Sequence, residues 1–394
     1  MFAREYPFMK YTKYAFLLFF LFSLNYSYGV ELKIGLFSDQ KIKSLVVIPT
    51  VGSYSVTTND NIVCDIKSQS SVEIIVLGNG MQLKCNGKVI GSYPKLFLKG
   101  KGDINNFKLK VVSPLLAASN YEDNLGIVTS NGVLSLINVV VLDHYVTGVI
   151  EAEAGSKQSL EYYKLQAIIC RTYALGNLRR HEADDFNLCD KVHCQVYRGV
   201  SKSNPDILKA VRETADMVIV DKDLNIIQAT FHSNCGGETA NAENVWSMPL
   251  SYLKSVKDTF CTNQPHANWQ KGIKLSDWRN YLAKYNINVP ISSNKNALCF
   301  EQTERGTDYL FNDKKIPLKN IRDDFNLRST YFNIKQRNDS ILFIGHGFGH
   351  GVGLCQEGSM KMAGCGYSYM QILNYYYTDV YLIDLNALQF FKEE

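Results

Sequence analysis

The periodicity of apolar residues changes once along this chain, near Asp143, and that change limits the folds available to it. Residues 30–142 alternate apolar and polar positions in short segments that turn residues separate, which is typical of antiparallel strands. From Asp143 onward, segments with helical spacing are mixed with short strands. The pattern therefore predicts an α+β protein, with a β-rich N-terminal region followed by a mixed body.

Individual elements can be placed within this division. Strands of the N-terminal region are predicted over 32–37, 44–48, 71–77, 95–98, 107–112 and 133–141, and the Asn-Gly pairs at 79–80 and 86–87 predict hairpin turns. In the body, which spans 143–394, helices are predicted over 145–153, 160 to about 178 and 369–376, and strands over 217–220, 226–231 and 341–344. Ser159 is the expected N-cap of the second helix. Residues 262–330 are polar and irregular, so we interpret them as an insertion or a loosely packed lobe.

Residues 1–29 have the pattern of a secretory signal peptide. Lys10 and Lys13 precede an apolar run over 14–24, and small and polar residues follow up to Gly29. The run is shorter than the ~20 apolar residues that a membrane span needs, and an uncleaved anchor is the alternative. We therefore expect an exported protein of the periplasm or the cell envelope.

The charge distribution argues against nucleic acid as a partner. The 394 residues include 42 Lys and Arg and 38 Asp and Glu, which gives a formal net charge of +4. A nucleic-acid-binding domain usually shows a clustered basic face, and no such cluster stands out along this sequence. With 46% hydrophobic residues, the composition is that of an ordinary globular protein.

Lys164 and Arg171 lie seven residues apart on the second predicted helix, which is close to two turns. Their side chains therefore share one face, beside the apolar stripe that contains Tyr163 and Ala167. Two cations near a carboxylate can bind an anionic ligand, or they can form the salt bridges of a solvated face. The spacing alone leaves both interpretations open.

Four potential metal ligands lie within fourteen residues: His181, Cys189, His193 and Cys194. Imidazole nitrogens and thiolates in a set of four are typical of tetrahedral zinc sites. The spacing is irregular, and in an exported protein a Cys189–Cys194 disulfide is the alternative. Export also permits two further pairings, Cys64 with Cys85 and Cys235 with Cys261.

A third stretch begins at Phe231, where a predicted strand runs into His232, Ser233 and a pair of glycines. This arrangement is typical of a strand that ends at a site, although a plain turn would look the same. The stretch contains no GxSxG nucleophile elbow. Trp246, Tyr252 and Lys254 follow it.

A fourth stretch, over 345–353, contains five glycines at alternate positions. Such a density in a strand needs the close approach of a ligand or of another backbone segment. In an extended chain, His346, Phe348 and His350 would project to the same side. Gln356 follows, and no GxGxxG dinucleotide loop fits the register.

These stretches, in this order, resemble the SpoIID/LytB family of stage II sporulation protein D-like proteins. The motifs are a Tyr-Val-x-Gly-Val lead-in to a Glu at 145–153, a Lys-x-Gln-Ala…Arg-Thr-Tyr-Ala helix at 164–174, Cys-Gln-Val-Tyr at 194–197, an aromatic-His-Ser…Gly-Gly turn at 231–237 and Gly-His-Gly-Val-Gly at 349–353. The matches span roughly 141–261 and 345–380, whereas the N-terminal region and residues 262–330 match poorly. The ordered set is specific, although no single motif would be.

The resemblance implies a lytic transglycosylase that acts on the glycan strands of bacterial peptidoglycan. Such enzymes cleave between N-acetylmuramic acid and N-acetylglucosamine without water and leave 1,6-anhydro ends. The resemblance implies Glu153 as the catalytic residue and Lys164 and Arg171 as a basic pair. Where the family has Glu-Met-Pro, this chain has Glu153 followed by Ala154 and Gly155.

The resemblance implies that any bound metal is a structural zinc ion and that the reaction itself requires no cofactor. Family members that bind zinc use His and Cys residues of the second stretch. The nearest equivalents in this chain are His181, Cys189, His193 and Cys194.

One carboxyl group can serve this reaction, because the nucleophile is a hydroxyl of the sugar itself. Ordinary glycosidases use two carboxyl groups. We expect Glu153 to be partly desolvated, which would raise its pKa. Glycan that has lost its stem peptides carries free lactyl carboxylates, which cations can pair with. Substrate contacts are predicted for Lys164, Arg171, His232, Trp246, Tyr252, Lys254, His346, His350 and Gln356.

Two other functions compete with this one. The first is a non-catalytic glycan-binding module that stimulates a cell-wall amidase, which would then be a partner besides the glycan strands. The second is a zinc hydrolase, which would lose activity with a chelator and release reducing ends.

Overall fold

The computed structural model describes residues 29–200, 204–246, 248–290 and 295–388. The predicted signal peptide lies outside these ranges except for Gly29. No helix within them is both long enough and apolar enough to cross a membrane. The prediction of an α+β protein with a β-rich N-terminal region is confirmed by the elements below.

The strands are β1 (Glu31–Leu36), β2 (Ser44–Val51), β3 (Ser53–Thr58), β4 (Asn61–Lys67), β5 (Val72–Leu77), β6 (Gly80–Cys85), β7 (Lys88–Tyr93), β8 (Lys95–Gly100), β9 (Asn106–Ser113), β10 (Ser119–Glu122), β11 (Asn124–Ser130), β12 (Val133–Val141), β13 (Leu188–Cys189), β14 (Met217–Val220), β15 (Phe231–His232), β16 (Asn268–Lys274), β17 (Asp308–Phe311), β18 (Lys314–Pro317), β19 (Phe332–Arg337), β20 (Ser340–His346), β21 (Leu354–Cys355) and β22 (Tyr381–Asp384). The α-helices are α1 (Leu142–Ala154), α2 (Leu160–Gly176), α3 (Pro205–Glu213), α4 (Glu243–Trp246), α5 (Leu275–Ala283), α6 (Leu318–Asp324), α7 (Gln356–Gly364) and α8 (Tyr369–Tyr376). Single 3₁₀ turns occur at Glu182–Asp184 and Lys295–Leu298.

The N-terminal region forms two sheets. One has the strand order β13-β1-β12-β11-β8-β3-β4, and the other has the order β10-β9-β2-β5-β6-β7. Apolar side chains on alternate positions of both sheets belong to one hydrophobic cluster, which also includes residues of α1 and α2. The N-terminal sheets and the helical body therefore share a core.

The joint between the sheets and the body is the two-residue strand β13, which pairs in parallel with β1. Gly35 of β1 lies opposite Cys189 in this pairing. A Cβ atom at Gly35 would come within 2.7 Å of the ring of Phe186, so only glycine leaves room for that ring. The N-terminal sheet thereby fixes the segment that carries Cys189.

Helices α1 and α2 form the centre of the body. The predicted N-cap is confirmed, since the Ser159 Oγ accepts a hydrogen bond from the Tyr162 N–H at 3.4 Å. The predicted strand at 226–231 is wrong except for its last residue. In that segment the N–H groups of Ala229 and Thr230 donate to carbonyls two residues earlier, and these local bonds replace a strand ladder.

Residues 268–346 form a separate lobe with its own hydrophobic cluster. Trp278 is fully buried at its centre and stacks on Tyr281, with ring centroids 5.5 Å apart. Tyr309 and Phe343 contact the same indole edge-on. The expectation of a loosely packed lobe is therefore wrong, because aromatic residues spread through the sequence supply a core that no local periodicity reveals.

Candidate active site

A groove with a volume of about 940 Å³ crosses the body beside the end of α1. Helix α6 of the 268–346 lobe supplies one of its residues, so both parts of the structure form its walls. The lining residues are Glu153, Tyr173, Arg180, Val192, His193, Cys194, Gln228, Thr230, Phe231, His232, Ser233, Trp246, Met248, Leu250, Arg322, Phe348, Gly349, His350 and Gln356. Among these residues Glu153 is the one carboxylic acid.

Glu153 lies in the last turn of α1, one residue before the helix ends. Gly155 ends the helix with a φ of 72°, a conformation that glycine adopts without strain. The Val196 N–H donates a hydrogen bond of 2.8 Å to the Glu153 Oε1. Burial raises the pKa of Glu153, although this hydrogen bond and the positive charge of Arg198 oppose the shift. The expected desolvation of this carboxyl group is thus confirmed.

A close contact between α1 and the segment 196–199 brings the Val196 N–H to Glu153. A Cβ atom at Gly148 would collide with the Gly199 carbonyl oxygen, so the small residue in the middle of α1 permits this approach. The Tyr197 ring lies 5.0 Å from the Tyr145 ring. The Gly of the Tyr-Val-x-Gly-Val motif therefore acts through packing and positions the donor to Glu153.

The hydroxyl of Tyr197 anchors the same segment to the N-terminal sheet. It donates a hydrogen bond of 2.9 Å to the Asn138 Oδ1 on β12. The Asn138 amide in turn donates to the carbonyls of Glu122 and Asn124 at 2.8 and 2.9 Å. Asn138 is fully buried, and all of its hydrogen bonds hold strands and the 196–199 segment together.

Aromatic side chains form one wall of the groove. Trp246 is 43% exposed and Phe348 is 40% exposed, which is unusual for such large apolar groups. The Trp246 ring lies 5.2 Å from the ring of His350. Partly exposed aromatic rings beside polar groups are well suited to sugar rings, whose C–H faces are apolar.

The buried His232 and the part-buried His350 lie next to this wall as neutral groups. Burial lowers the pKa of His350 to about 4 and lowers the pKa of His232 well below its usual range. The His350 Nε2 lies 3.0 Å from the Phe231 carbonyl, and the His232 Nδ1 lies 3.1 Å from the Val352 carbonyl. The His232 Nε2 and the Gln356 Nε2 have no hydrogen-bond partner within the described ranges, so both are available to a bound ligand.

The structure does not bring Arg171, which is predicted to bind substrate, to the groove. Its side chain is 1% exposed, and its Nη2 forms an ion pair of 2.9 Å with the Asp143 carboxylate. The Nη1 donates to the carbonyls of Thr214 and Met217. Because its donors bind α1 and the segment after α3, Arg171 connects parts of the fold and does not reach the groove.

Lys164 is also absent from the groove. It forms ion pairs with Glu213 at 2.8 Å and with Glu161 at 3.2 Å. These partners belong to α2 and α3, so the alternative of a face with salt bridges describes this residue.

Three other predicted contacts are not among the groove residues. Tyr252 is only 7% exposed, and its hydroxyl accepts a hydrogen bond from the Gln228 N–H. Lys254 pairs with Glu243 at 3.3 Å. The His346 Nδ1 lies 2.9 Å from the Asn268 Oδ1 at the edge of the lobe. Of the nine predicted substrate contacts, the groove brings together His232, Trp246, His350 and Gln356.

The glycines of 345–353 serve the packing of the protein itself. Gly347, Gly349, Gly351 and Gly353 all have positive φ, so the segment is not extended and the expected alternation of side chains is lost. A Cβ atom at Gly353 would collide with the Thr230 carbonyl oxygen. Close approach to residues 230–237 explains Gly347, Gly349 and Gly353, whereas a Cβ atom at Gly345 would collide with Trp269 and one at Gly351 with Arg305. Phe348 and His350 reach the groove, whereas His346 does not.

The four predicted metal ligands do converge. The donor atoms of His181, Cys189, His193 and Cys194 all lie within 4.8 Å of one another. The Cys194 Sγ is 3.5 Å from the Cys189 Sγ, 3.4 Å from the His181 Nε2 and 3.7 Å from the His193 Nδ1. A tetrahedral zinc with ligands at ~2.0–2.3 Å separates its donors by ~3.3–3.8 Å, whereas a disulfide needs ~2.05 Å. The donor set and its spacing fit zinc.

Neighbouring groups orient the first of these ligands. The His181 Nδ1 lies 3.2 Å from the Asp184 carboxylate, which leaves the Nε2 free to face the sulfur atoms. The Phe186 ring stacks on the imidazole with centroids 4.8 Å apart. Because His193 and Cys194 also line the groove, this cluster, here termed the Cys2His2 cluster, lies directly beside the candidate site.

The sequence reasoning missed the two cations that do line the groove, Arg180 and Arg322. Arg180 directly precedes the His181 of the Cys2His2 cluster, so its place in the chain offered a signal. Arg322 belongs to α6 in the lobe and offered none. Their charges exceed the single negative charge of an ionised Glu153, so the groove favours an anionic ligand.

Comparisons with known proteins agree with the motifs. A family model described as SpoIID, stage II sporulation protein, matches residues 130–220. An uncharacterized protein of Brachyspira hyodysenteriae (strain ATCC 49526 / WA1) is 29% identical over 272 residues, which cover 68% of this chain and 73% of the relative. Stage II sporulation protein D of Bacillus subtilis (strain 168) is 28% identical over 264 residues, covering 63% of this chain and 76% of that protein. The amidase enhancer of the same Bacillus strain is 27% identical over 283 residues, covering 58% of this chain and 39% of the enhancer.

The residues matched by the family model contain Glu153, the 196–199 segment and the whole Cys2His2 cluster. The resemblance that the motifs indicate is therefore confirmed, since residues 130–220 match the SpoIID family model and relatives named stage II sporulation protein D are similar to most of the chain.

Proposed function

We propose that this protein is a lytic transglycosylase that cleaves peptidoglycan glycan strands in cell-wall remodelling. The observation that carries the proposal is the single carboxyl group of the groove, Glu153, which is partly buried and has a raised pKa. A hydrolase of the common kind needs a second carboxylate on the opposite side of the bond. A transglycosylase does not, because its nucleophile belongs to the substrate.

In the proposed step, the protonated Glu153 donates its proton to the glycosidic oxygen as the bond from that oxygen to C1 of the muramic residue breaks. The C6 hydroxyl of the same residue attacks C1 and forms the new C1–O6 bond. The Glu153 carboxylate then takes the hydroxyl proton, so the acid is regenerated and no water is consumed. Desolvation keeps this carboxyl group protonated at higher pH than an exposed glutamate, which suits the first half of the step.

The groove residues supply binding contacts for such a strand. Arg180 and Arg322 are the cations placed to pair with free lactyl carboxylates, in place of Lys164 and Arg171. Trp246 and Phe348 offer exposed ring faces for the sugars. This distribution favours glycan from which the stem peptides have been removed, because those peptides block the lactyl carboxylate.

The product of the reaction tests the proposal. Peptide-stripped glycan strands incubated with the protein should yield fragments with 1,6-anhydro ends when they are analysed by mass spectrometry. Fragments with reducing ends would show a hydrolase and contradict the proposal.

We further propose that the Cys2His2 cluster holds a structural zinc ion, with His181, Cys189, His193 and Cys194 as ligands. The ion would supply a cross-link between β13 and the turn after α2, and no step of the proposed reaction uses it. Chelation should therefore change the stability of the protein and leave the type of product unchanged.

Replacement of Cys194 by Ser should remove this zinc and lower the free energy of unfolding by roughly 3 kcal/mol or more. Denaturant unfolding with and without a chelator measures the effect. Cys365→Ser is the matched control, because Cys365 is exposed and lies outside the cluster. Equal stability of both variants would show that the cluster binds no stabilising metal.

A second candidate function rests on the relative named amidase enhancer. The same groove would then hold a glycan strand without cleaving it, and the protein would stimulate a separate cell-wall amidase. Binding of stripped strands without any cleavage, together with faster amidase turnover, would favour this alternative. For either function we propose an exported protein, because glycan strands lie outside the cytoplasm and residues 1–29 have the pattern of a signal peptide.

A further inference from the structure

Three thiols and one carboxylate meet in the interior behind the groove: Cys235, Asp258, Cys261 and Cys355. All four residues are fully buried, and their donor atoms lie within 4.8 Å of one another. The Cys235 Sγ is 3.3 Å from the Cys261 Sγ and 3.3 Å from the Asp258 Oδ2. We call this group the Cys3Asp cluster.

Backbone donors surround the cluster and point at atoms that carry negative charge when ionised. The N–H groups of Cys235 and Gly358 donate to the Cys355 Sγ at 3.3 and 3.4 Å. Those of Phe260 and Cys261 donate to the Asp258 Oδ1 at 2.9 and 3.3 Å. Such N–H donors stabilise bound thiolates and carboxylates and orient them toward a metal ion.

The side-chain environment also fits an anionic centre. The Tyr376 hydroxyl donates a hydrogen bond of 2.9 Å to the Asp258 Oδ2. A Cβ atom at Gly358 would collide with both of these groups, so glycine at this position lets them approach. The Arg305 Nη1 donates to the Glu238 carbonyl at 3.2 Å, whereas its Nε and Nη2 atoms are buried without hydrogen-bond partners in the described ranges.

A disulfide accounts for this arrangement less well than a metal ion does. Joining Cys235 to Cys261 requires the sulfurs to close from 3.3 Å to ~2.05 Å. The disulfide would also give the buried Cys355 thiol and Asp258 carboxylate no role, whereas a metal ion would bind both. A tetrahedral metal uses all four donors at the spacing observed, and thiolate-rich sites select zinc among the common divalent ions.

We propose that Cys235, Asp258, Cys261 and Cys355 form a second zinc site, separate from the Cys2His2 cluster. The ion would connect three segments: the turn after β15, the loop at 258–261, and the junction of β21 with α7. Since β15 carries His232 and α7 begins with Gln356, the site fixes the two groove residues whose Nε2 atoms have no hydrogen-bond partner in the described ranges. The proposal does not depend on the transglycosylase reaction.

The test isolates this site in the full chain by removing the other one. Zinc is measured by elemental mass spectrometry on purified wild-type protein and on the double variant Cys189→Ser, Cys194→Ser. The double variant should keep one zinc per chain, and adding Cys355→Ser or Asp258→Asn to it should remove that zinc. Adding Cys365→Ser instead should leave it in place. A double variant without zinc, or a zinc that survives both additions, overturns the proposal.

A second measurement needs no variant and therefore does not depend on how the variants fold. Wild-type protein is denatured with a chelator and an alkylating agent, without reductant. The proposal expects Cys235, Cys261 and Cys355 all to be alkylated, because zinc keeps them as thiolates. A Cys235–Cys261 disulfide would protect two of them until a reductant is added, and this result would overturn the proposal whether or not the protein cleaves glycan.

Discussion

Replacement of Glu153 by Gln is expected to reduce the release of anhydro-ended fragments by at least about 10²-fold. Gln keeps the size of the side chain, and its amide oxygen can still accept the hydrogen bond from the Val196 N–H. It cannot donate a proton to the leaving oxygen and take one back. We therefore expect folding and glycan binding to survive while the turnover of stripped strands is lost, as measured by mass spectrometry of timed digests.

The matched control is Glu151→Gln, which changes a carboxyl group two residues earlier on α1 and outside the groove lining. It should keep wild-type turnover. In the wild type, activity should fall as pH rises through the raised pKa of Glu153, because the proton donor is lost there. Full activity of Glu153→Gln would contradict the proposed acid and base and would direct attention to the amidase-stimulating role.

The second large effect concerns stability. Arg171→Met should lower the free energy of unfolding by about 3 kcal/mol, whereas Lys164→Met should change it by less than about 1 kcal/mol. The Arg171 side chain is buried, and its loss leaves the Thr214 carbonyl without that donor and Asp143 without its ion pair. Lys164 pairs with carboxylates on the helix surface that water can solvate.

Urea unfolding of the two variants measures this difference directly. If both cations bound the glycan instead, both variants would keep their stability and lose affinity for stripped strands to a similar extent. That pattern would restore the role that the sequence resemblance implies for them. Loss of affinity in Arg180 or Arg322 variants, with unchanged stability, would agree with the groove described here.

The local pattern of apolar, polar and turn residues predicted many of the strands and helices, and it failed for elements whose side chains show no such pattern. The β12 strand at Val133–Val141 and the α8 helix at Tyr369–Tyr376 have the predicted bounds, because their side-chain periodicity repeats over a whole element. The hairpin turn at Asn86 and Gly87 is also confirmed, since both residues have the positive φ that such a turn requires. Strands such as β7, which exposes most of its residues, carry no alternation and were missed.

The site was predictable only where the chain itself keeps residues together. His181, Cys189, His193 and Cys194 are close in sequence and also converge in space. Lys164 and Arg171 share a helix face, but partners on other elements decide what they do, and those partners are not visible in the spacing. Arg322 reaches the groove from a lobe about 170 residues beyond Glu153, a distance that no local pattern spans.

The two ends of the 268–346 lobe are direct neighbours, because Asn268 on β16 lies opposite His346 on β20. The lobe is therefore attached to the rest of the chain at two adjacent points, as the loop of a hairpin is. Its length adds little to the entropic cost of bringing those two points together. A unit attached in this way can be exchanged or shortened without moving α1 or the Cys2His2 cluster. Since the lobe contributes Arg322 to the groove, under the proposed function such exchanges would alter strand recognition while Glu153 stays in place, so recognition and bond cleavage could evolve independently.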